Sequence, residues 1–410
     1  MSAIEYPPIV SSVARSAREA LRLESDLLAS WAHGRVNLIG EHTDYNDGWV
    51  LPITVARAIA FVGLLNPDRD DMTIRLFSPR FREMARFDAT RLPTAAEPLG
   101  VPAWARYVAG AVAVLQSRGV AARGFSAALD GDVPASGGMS SSAALLIAAL
   151  TWFNAALQLD LSPLELAEIG RQAEILGSGV QVGILDQAAS VLGKPGHATL
   201  IDCRTMAYQY IPFALQDTRF LMCDTGVERT LVGSEYNERR AQCKVAVESF
   251  ATALRAEGDP RELRALRDVT WRDYLRLAGH VSEPARWRAR HVLLENQRTL
   301  DAAEALRAGD AAALGGLILQ SHASLRDDYA VSCPELDAVV EIATAVPGAL
   351  GARLMGAGFG GAAMIVAQAS AVEAITDALQ SQYPARAGRQ PTLFEAIPDG
   401  GPGVATIRGE

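Results

Sequence analysis

The sequence has 410 residues, 49% hydrophobic and 21% charged, with a formal net charge of −9. That length exceeds one typical core of about 100–200 residues, so two packed domains are expected, and the ordinary apolar content excludes a disordered chain. The negative balance argues against a nucleic-acid or anionic-membrane partner, since such surfaces are held by clustered cations.

Lys194 and Lys244 are the only lysines, and neither stands between glycines and a following Ser or Thr, which excludes a P-loop. Cys203, Cys223, Cys243 and Cys333 lie far apart and form no C-x-x-C, so neither a metal cluster nor a disulfide framework is indicated and a reduced cytoplasm is expected. No apolar run of about 18 residues or more occurs, and the early arginines are interleaved with Glu19 and Glu24, so neither a membrane span nor a secretory leader is expected.

In chain order, Val13, Ala17, Ala20 and Leu21 at helical spacing predict a short amphipathic helix over 13–23. Residues 48–65 are rich in β-branched side chains and read as strands. A loop with three prolines covers 91–103, a helix starts near Trp104, and a strand over Gly124–Leu129 leads into a Gly/Ser-rich turn. The Ala/Leu-rich stretch Ser140–Leu157 predicts a buried helix. Past about residue 215 the texture shifts to Ala, Arg, Glu and Leu, predicting helices over Glu235–Ala256, Pro260–Ala278 and Pro284–Arg307. Strands return at Ala352–Leu354 and Ala363–Val366, followed by a helix near Ser370–Gln382. There is no internal repeat. The pattern suggests an α+β protein of two lobes, residues 1–215 and 216–410.

Three segments carry chemistry. The first runs from Gly34 to Asn46, where an apolar strand meets Glu41, His42 and Asp44. Buried, such groups need partners, and a polyhydroxylated ligand would supply them. The alternative is a solvated turn. The second is Asp132–Leu145, whose Gly137, Gly138, Met139, Ser140, Ser141 and Ser142 open the Ala-rich helix. Small residues let backbone amides approach an anion, and the helix points its positive end the same way. Simple N-capping by Ser140 is the alternative. The third, Gly356–Gly361, has four glycines in six residues, which implies unusual φ angles, a close approach, or only a tight connection.

Together and in this order, the three segments resemble the signature motifs of the GHMP small-molecule kinases. Gly34–Tyr45 is similar, without a break, to the galactokinase signature. The resemblance extends through Trp104–Val108, Gln172–Glu174, Gly183–Gln187 and Ser234–Arg240, and so covers nearly the whole chain. It implies a two-lobed α+β fold with an N-terminal mixed-sheet lobe, a ferredoxin-like C-terminal lobe and the site between them. It implies transfer of the γ-phosphate of ATP to the anomeric hydroxyl of D-galactose, with Mg²⁺ as cofactor, by a monomer.

Carried over by position, the resemblance sets Arg35 and Asp186 at the reacting hydroxyl, with Asp186 as the base or as an orienting group. It gives Glu41, His42, Asp44, Gly183 and Tyr236 to the sugar, Gly137–Ser142 to the triphosphate, and Ser142 and Glu174 to Mg²⁺. Alone, Glu174 would read as a solvated helix charge and Tyr236 as a helix-capping aromatic. His33 stands where the family usually has Pro, Ala135-Ser136 interrupts a glycine run, Met139 replaces Leu, and Met355 stands where Thr is common. Kinases for N-acetylgalactosamine, galacturonate or arabinose share the frame, as do galactose- and ATP-responsive regulators.

Overall fold

A computed structural model describes residues 6–134, 138–227 and 232–409. The first half runs α1 (Pro8–Leu21), β1 (Leu27–Asn37), β2 (Trp49–Val50), β3 (Pro52–Leu65), β4 (Thr73–Ser78) and β5 (Glu83–Asp88). There follow α2 (Ala103–Ser117), β6 (Phe125–Gly131), α3 (Ser141–Leu157), α4 (Pro163–Ser178) and α5 (Leu185–Leu192). Next come β7 (His197–Asp202), β8 (Tyr208–Pro212), β9 (Thr218–Asp224), α6 (Val232–Ala256), α7 (Trp271–Leu277) and α8 (Ala285–Ala308). The chain ends with α9 (Ala311–Asp327), α10 (Pro334–Thr344), β10 (Ala349–Leu354), β11 (Ala362–Gln368), α11 (Val372–Ala387), β12 (Thr392–Glu395) and β13 (Gly403–Ile407).

Strands β13-β1-β3-β6-β4-β5 form one sheet, mixed because β4 and β6 run parallel. Strand β1 is buried along almost its whole length, which explains why Leu27–Asn37 lacks a polar alternation. Helix α3 is apolar on every side and buries Leu146, Ile147, Leu150 and Trp152 against this sheet. Helix α4 starts with Pro163 after a reciprocal Ser162 and Glu165 capping box, and stops at Gly179, whose left-handed φ of 78° favours glycine.

The second sheet, β10-β11-β9-β12, is antiparallel and shares a separate core with α6, α8, α10 and α11. A third sheet, β2-β7-β8, lies beside α8. This is the two-lobed α+β arrangement. Strand β13 returns to pair with β1, so a second lobe drawn as 216–410 does not hold for the last strand.

The first helix begins and ends earlier than 13–23, because Pro8 starts it and Arg22 turns left-handed at φ 55°. The single helix expected over Pro260–Ala278 is not formed. The Asp268 carboxylate accepts from the backbone N–H groups of Arg264 (2.8 Å) and Ala265 (3.1 Å), closing a one-turn 3-10 segment. Thr270 and Asp273 then cap the short α7 afresh.

Candidate active site

At the end of β1 the Arg35 N–H donates to Met139 O at 3.1 Å, so the strand leads directly into the Gly/Ser loop. The Arg35 side chain is buried and forked. Nη1 donates to Gly138 O at 2.6 Å, Nε to Asp186 Oδ1 at 2.8 Å, and Nη2 to the same oxygen. Asp186 sits in the first turn of α5, where the helix dipole favours a negative charge. Its other oxygen accepts from the Ser140 hydroxyl. One carboxylate is thus held by a guanidinium from below and a hydroxyl from the loop, with about a third of its side-chain surface (32%) still open to the cleft.

The sugar-signature turn forms the opposite wall. Asp44 lies against Gly183, where an added Cβ would sit 1.6 Å from Asp44 Oδ2, so any larger residue there would displace the Asp44 carboxylate. Burial, and next the Asp186 charge, push the Asp44 carboxyl up to about 6, against backbone N–H bonds from Tyr45 and Leu185. Glu41 Oε1 accepts from Arg353 Nη2 and from the Gly356 N–H, both at 3.0 Å, tying the first motif to the third.

His42, at φ 61°, has both ring nitrogens engaged: Nδ1 is 2.8 Å from the Tyr45 hydroxyl and Nε2 donates to Ala357 O at 3.3 Å. Burial, then His291, hold its pKa down at about 3, so the ring is neutral. It therefore touches the cleft as a packed ring. Tyr236 stands a full turn inside α6, its ring 5.7 Å from His42 and 5.3 Å from Tyr45, so it is a wall residue and not a helix cap.

Ser140 does not cap α3. Its φ of 51° and ψ of 58° turn the hydroxyl toward Asp186, and no side-chain bond caps that helix. Two residues on, Ser142 Oγ donates to Glu174 Oε1 at 2.7 Å, while the Gln187 amide donates to Glu174 Oε2. Glu174 is buried, and burial, followed by the Asp186 charge, pushes its carboxyl up to about 7. It is not a solvated helix charge. A buried carboxylate so short of positive charge, beside a hydroxyl, is a donor pair that fits Mg²⁺.

These groups line one cavity of about 280 Å³ that holds Arg35, Glu41, His42, Asp44, Gly138, Ser140–Ser142, Glu174, Gly183, Asp186 and Tyr236. Met139 is buried behind it, and Gly137 lies outside the described residues. The cavity also takes in Tyr107 and Leu185, which lie in stretches the resemblance covers but received no role there, and Ser178 and Val182, which lie outside those stretches and left no signal in the sequence. Through Ser141, Ser142 and Tyr107 it meets an apolar groove walled by Phe81, Trp104 and Leu145. His33 is a core residue, its Nδ1 3.0 Å from Val55 O. Among the described residues no cluster of three or more His, Cys, Asp or Glu could hold a metal, and no helix is long and apolar enough to cross a membrane.

The chain is similar to known proteins over most of its length. The GHMP kinases N terminal domain matches residues 106–194, the GHMP kinases C terminal domain 302–385, and the galactokinase galactose-binding signature 24–63. The galactokinase of Chloroflexus aggregans is 42% identical over 377 residues, 92% of this chain and 92% of that one. That of Homo sapiens is 39% identical over 388 residues, 93% and 95% of the two chains. The crystal structure of Lactococcus lactis galactokinase complexed with galactose superposes with a TM-score of 0.88 at 31% identity, covering 96% of this chain and 99% of that one. Methanococcus jannaschii mevalonate kinase, 16% identical with a TM-score of 0.63 over 92% of this chain and 99% of its own, shares the fold. The chain belongs to the galactokinases of the GHMP kinase family.

Proposed function

We propose that the protein transfers the γ-phosphate of ATP to the anomeric hydroxyl of D-galactose, giving galactose 1-phosphate and ADP. The observation that carries this reading is the placement of Asp186. It faces one cavity whose walls are the sugar signature on one side and the Gly/Ser loop on the other.

Phosphoryl transfer asks mainly for alignment and charge stabilisation. Asp186 would orient the anomeric hydroxyl and accept its proton, while Arg35 steadies the carboxylate and the oxygens of the transferring group. Glu41 and Asp44 would accept from sugar hydroxyls, with the His42 and Tyr236 rings and Gly183 shaping the wall. Gly138, Met139, Ser140 and Ser141 would present loop groups to the triphosphate, and the groove of Phe81, Trp104 and Leu145 would take the adenine. Ser142 and Glu174 would hold Mg²⁺, which when bound neutralises charge on the β- and γ-phosphates.

A coupled ADP-release assay over a panel of sugars tests the reading. D-Galactose is expected to give the highest kcat/KM. A higher value with N-acetylgalactosamine, galacturonate or arabinose would reassign the substrate, and binding without turnover would make the protein a sensor.

A further inference from the structure

The backbone that carries the sugar signature leaves regular structure at Asn37 and stays buried through Thr43. Buried irregular backbone cannot leave its polar groups unpaired, so its hydrogen bonds must be found elsewhere. Two pairs reach the strand segment around Leu51, from Leu38 N–H to Leu51 O and from Leu51 N–H to Ile39 O. Much of the remainder ends on side chains 250 or more positions along the chain. Arg353 donates to Leu38 O at 2.9 Å and also to Asn37 O. Gly40 N–H donates to Glu295 Oε1 at 3.1 Å, and Glu41 O accepts from His291 Nε2 at 3.1 Å. Asn296 Oδ1 accepts from the Trp49 N–H at 2.9 Å on the far side of the turn.

His291, Glu295, Asn296 and Thr299 share one face of α8, at spacings of four, five and eight residues. His291 and Glu295 are fully buried. Glu295 is fixed in its turn by Arg298 Nε at 2.7 Å and the Ser321 hydroxyl at 2.6 Å. Gly40, at φ 100°, is pressed against this face: an added Cβ would meet Thr299 Oγ1 at 3.1 Å and Trp49 O at 2.6 Å. The two bonded groups, Gly40 N–H and Glu41 O, flank the Cα from which the Glu41 carboxylate projects into the cleft.

We propose that His291 and Glu295 are positioning residues for sugar recognition, fixing the Gly40–His42 turn so that Glu41 and Asp44 present their carboxylates in one geometry. This rests on the galactose reading of the cleft and extends it to a helix that lines none of it. Neither residue touches the cavity, so their effect passes through the turn. The phosphate loop is held separately, by Arg35 and the start of α3, and is spared.

The test compares His291→Phe, which keeps a ring against Tyr329 but removes the donor to Glu41 O, with His291→Gln, whose amide nitrogen reaches close to the imidazole Nε2 position. Ser321→Ala, which removes one bond to Glu295, is the milder third variant. Galactose and ATP affinities are measured separately by calorimetry, and both KM values in the coupled assay. An unpaired buried carbonyl predicts galactose binding weakened about tenfold in His291→Phe, with ATP within about twofold of wild type. Most of the loss returns in His291→Gln, and Ser321→Ala shows a smaller loss of the same kind. Galactose discrimination against its C4 epimer falls in parallel. Equal losses for sugar and nucleotide, or lowered melting temperature with unchanged galactose affinity, would overturn the inference. If His291→Phe does not fold, unchanged galactose affinity in both other variants overturns it just as well. A wild-type protein that binds no galactose overturns the galactose reading itself, and this inference with it.

Discussion

At the sugar end of the cleft, Asn37–Thr43 are buried and their backbone groups are bonded to Arg353, Glu295 and His291. At the phosphate end, Gly138 and Ser140–Ser142 are half-buried, and they bond to the side chains of Arg35, Asp186 and Glu174. The first end is built from side chains locked by other side chains, which costs little reorganisation when a ligand arrives and makes geometry specific. The second relies on loop backbone and a helix terminus, which bind any similarly shaped anion and tolerate side-chain change better. Substitutions at the junction should therefore cost most, those at the sugar end should be selective for sugar, and those around the nucleotide should be milder.

The largest effect is expected where the two ends meet. Asp186→Asn keeps the shape facing Arg35 and Ser140 but can no longer accept a proton. Turnover should fall by about 10²–10⁴-fold while calorimetry still detects galactose. Activity within about tenfold of wild type would remove Asp186 from proton transfer and leave it an orienting role.

Glu174→Gln comes next. A hard dication prefers a charged oxygen to an amide, so the Mg²⁺ concentration needed for half-maximal activity at fixed ATP should rise by about tenfold. Galactose affinity without nucleotide should not change, since Glu174 lies across the cleft from the sugar signature. Superimposable Mg²⁺ titrations would sink the metal assignment.

At the sugar end, Asp44→Asn should weaken galactose binding by about 1–3 kcal/mol and leave ATP alone. It also has a pH signature. The folded protein holds the Asp44 proton more tightly than the unfolded chain does, about 6 against an ordinary 3.8, because burial and then Asp186, with Glu41 behind it, oppose its charge. Wild type must therefore lose stability as pH rises from the ordinary value through about 6, whereas the amide cannot ionise. The melting temperature of Asp44→Asn relative to wild type should climb across that window. Parallel curves would show that Asp44 is not desolvated.

The contrast between the ends also explains what could be read from the sequence. The sugar signature and the aspartate of Gly183–Gln187 are contiguous strings, so their residue types and order carried the chemistry. The device that holds the signature is not contiguous: Arg353, His291 and Glu295 sit in helix and strand positions where a polar residue normally reads as surface. Glu174 likewise looks like an exposed helix charge until Ser142, 32 positions away, is brought against it. The Ser140 hydroxyl followed the helix-capping rule in sequence and departed from it in space, because its left-handed backbone turns it toward Asp186. Strand β13 is short and follows Pro402 and a run of glycines, so nothing local tells that it returns to β1.

The smallest effect is expected in the groove beyond the phosphate loop. The Trp104 ring lies nearly parallel to Phe81, 13° between planes and 6.3 Å between centroids, and its Nε1 donates to Glu83 Oε2 at 2.9 Å. Phe81 is 54% exposed and Trp104 packs with one side on the core, so the pair presents an aromatic face beside Ser141 and Ser142. A purine stacked there gains what an aromatic contact usually gives, so Trp104→Leu should weaken ATP binding by about 0.5–1.5 kcal/mol. If the loop holds the phosphates as proposed, tripolyphosphate should bind both proteins equally, and galactose affinity should match as well. The discriminating quantity is the ratio of the ATP loss to the tripolyphosphate loss. A loss shared by tripolyphosphate would mean that Trp104 supports the loop and that the base lies elsewhere. No loss for either ligand would leave the aromatic pair without a part in nucleotide binding.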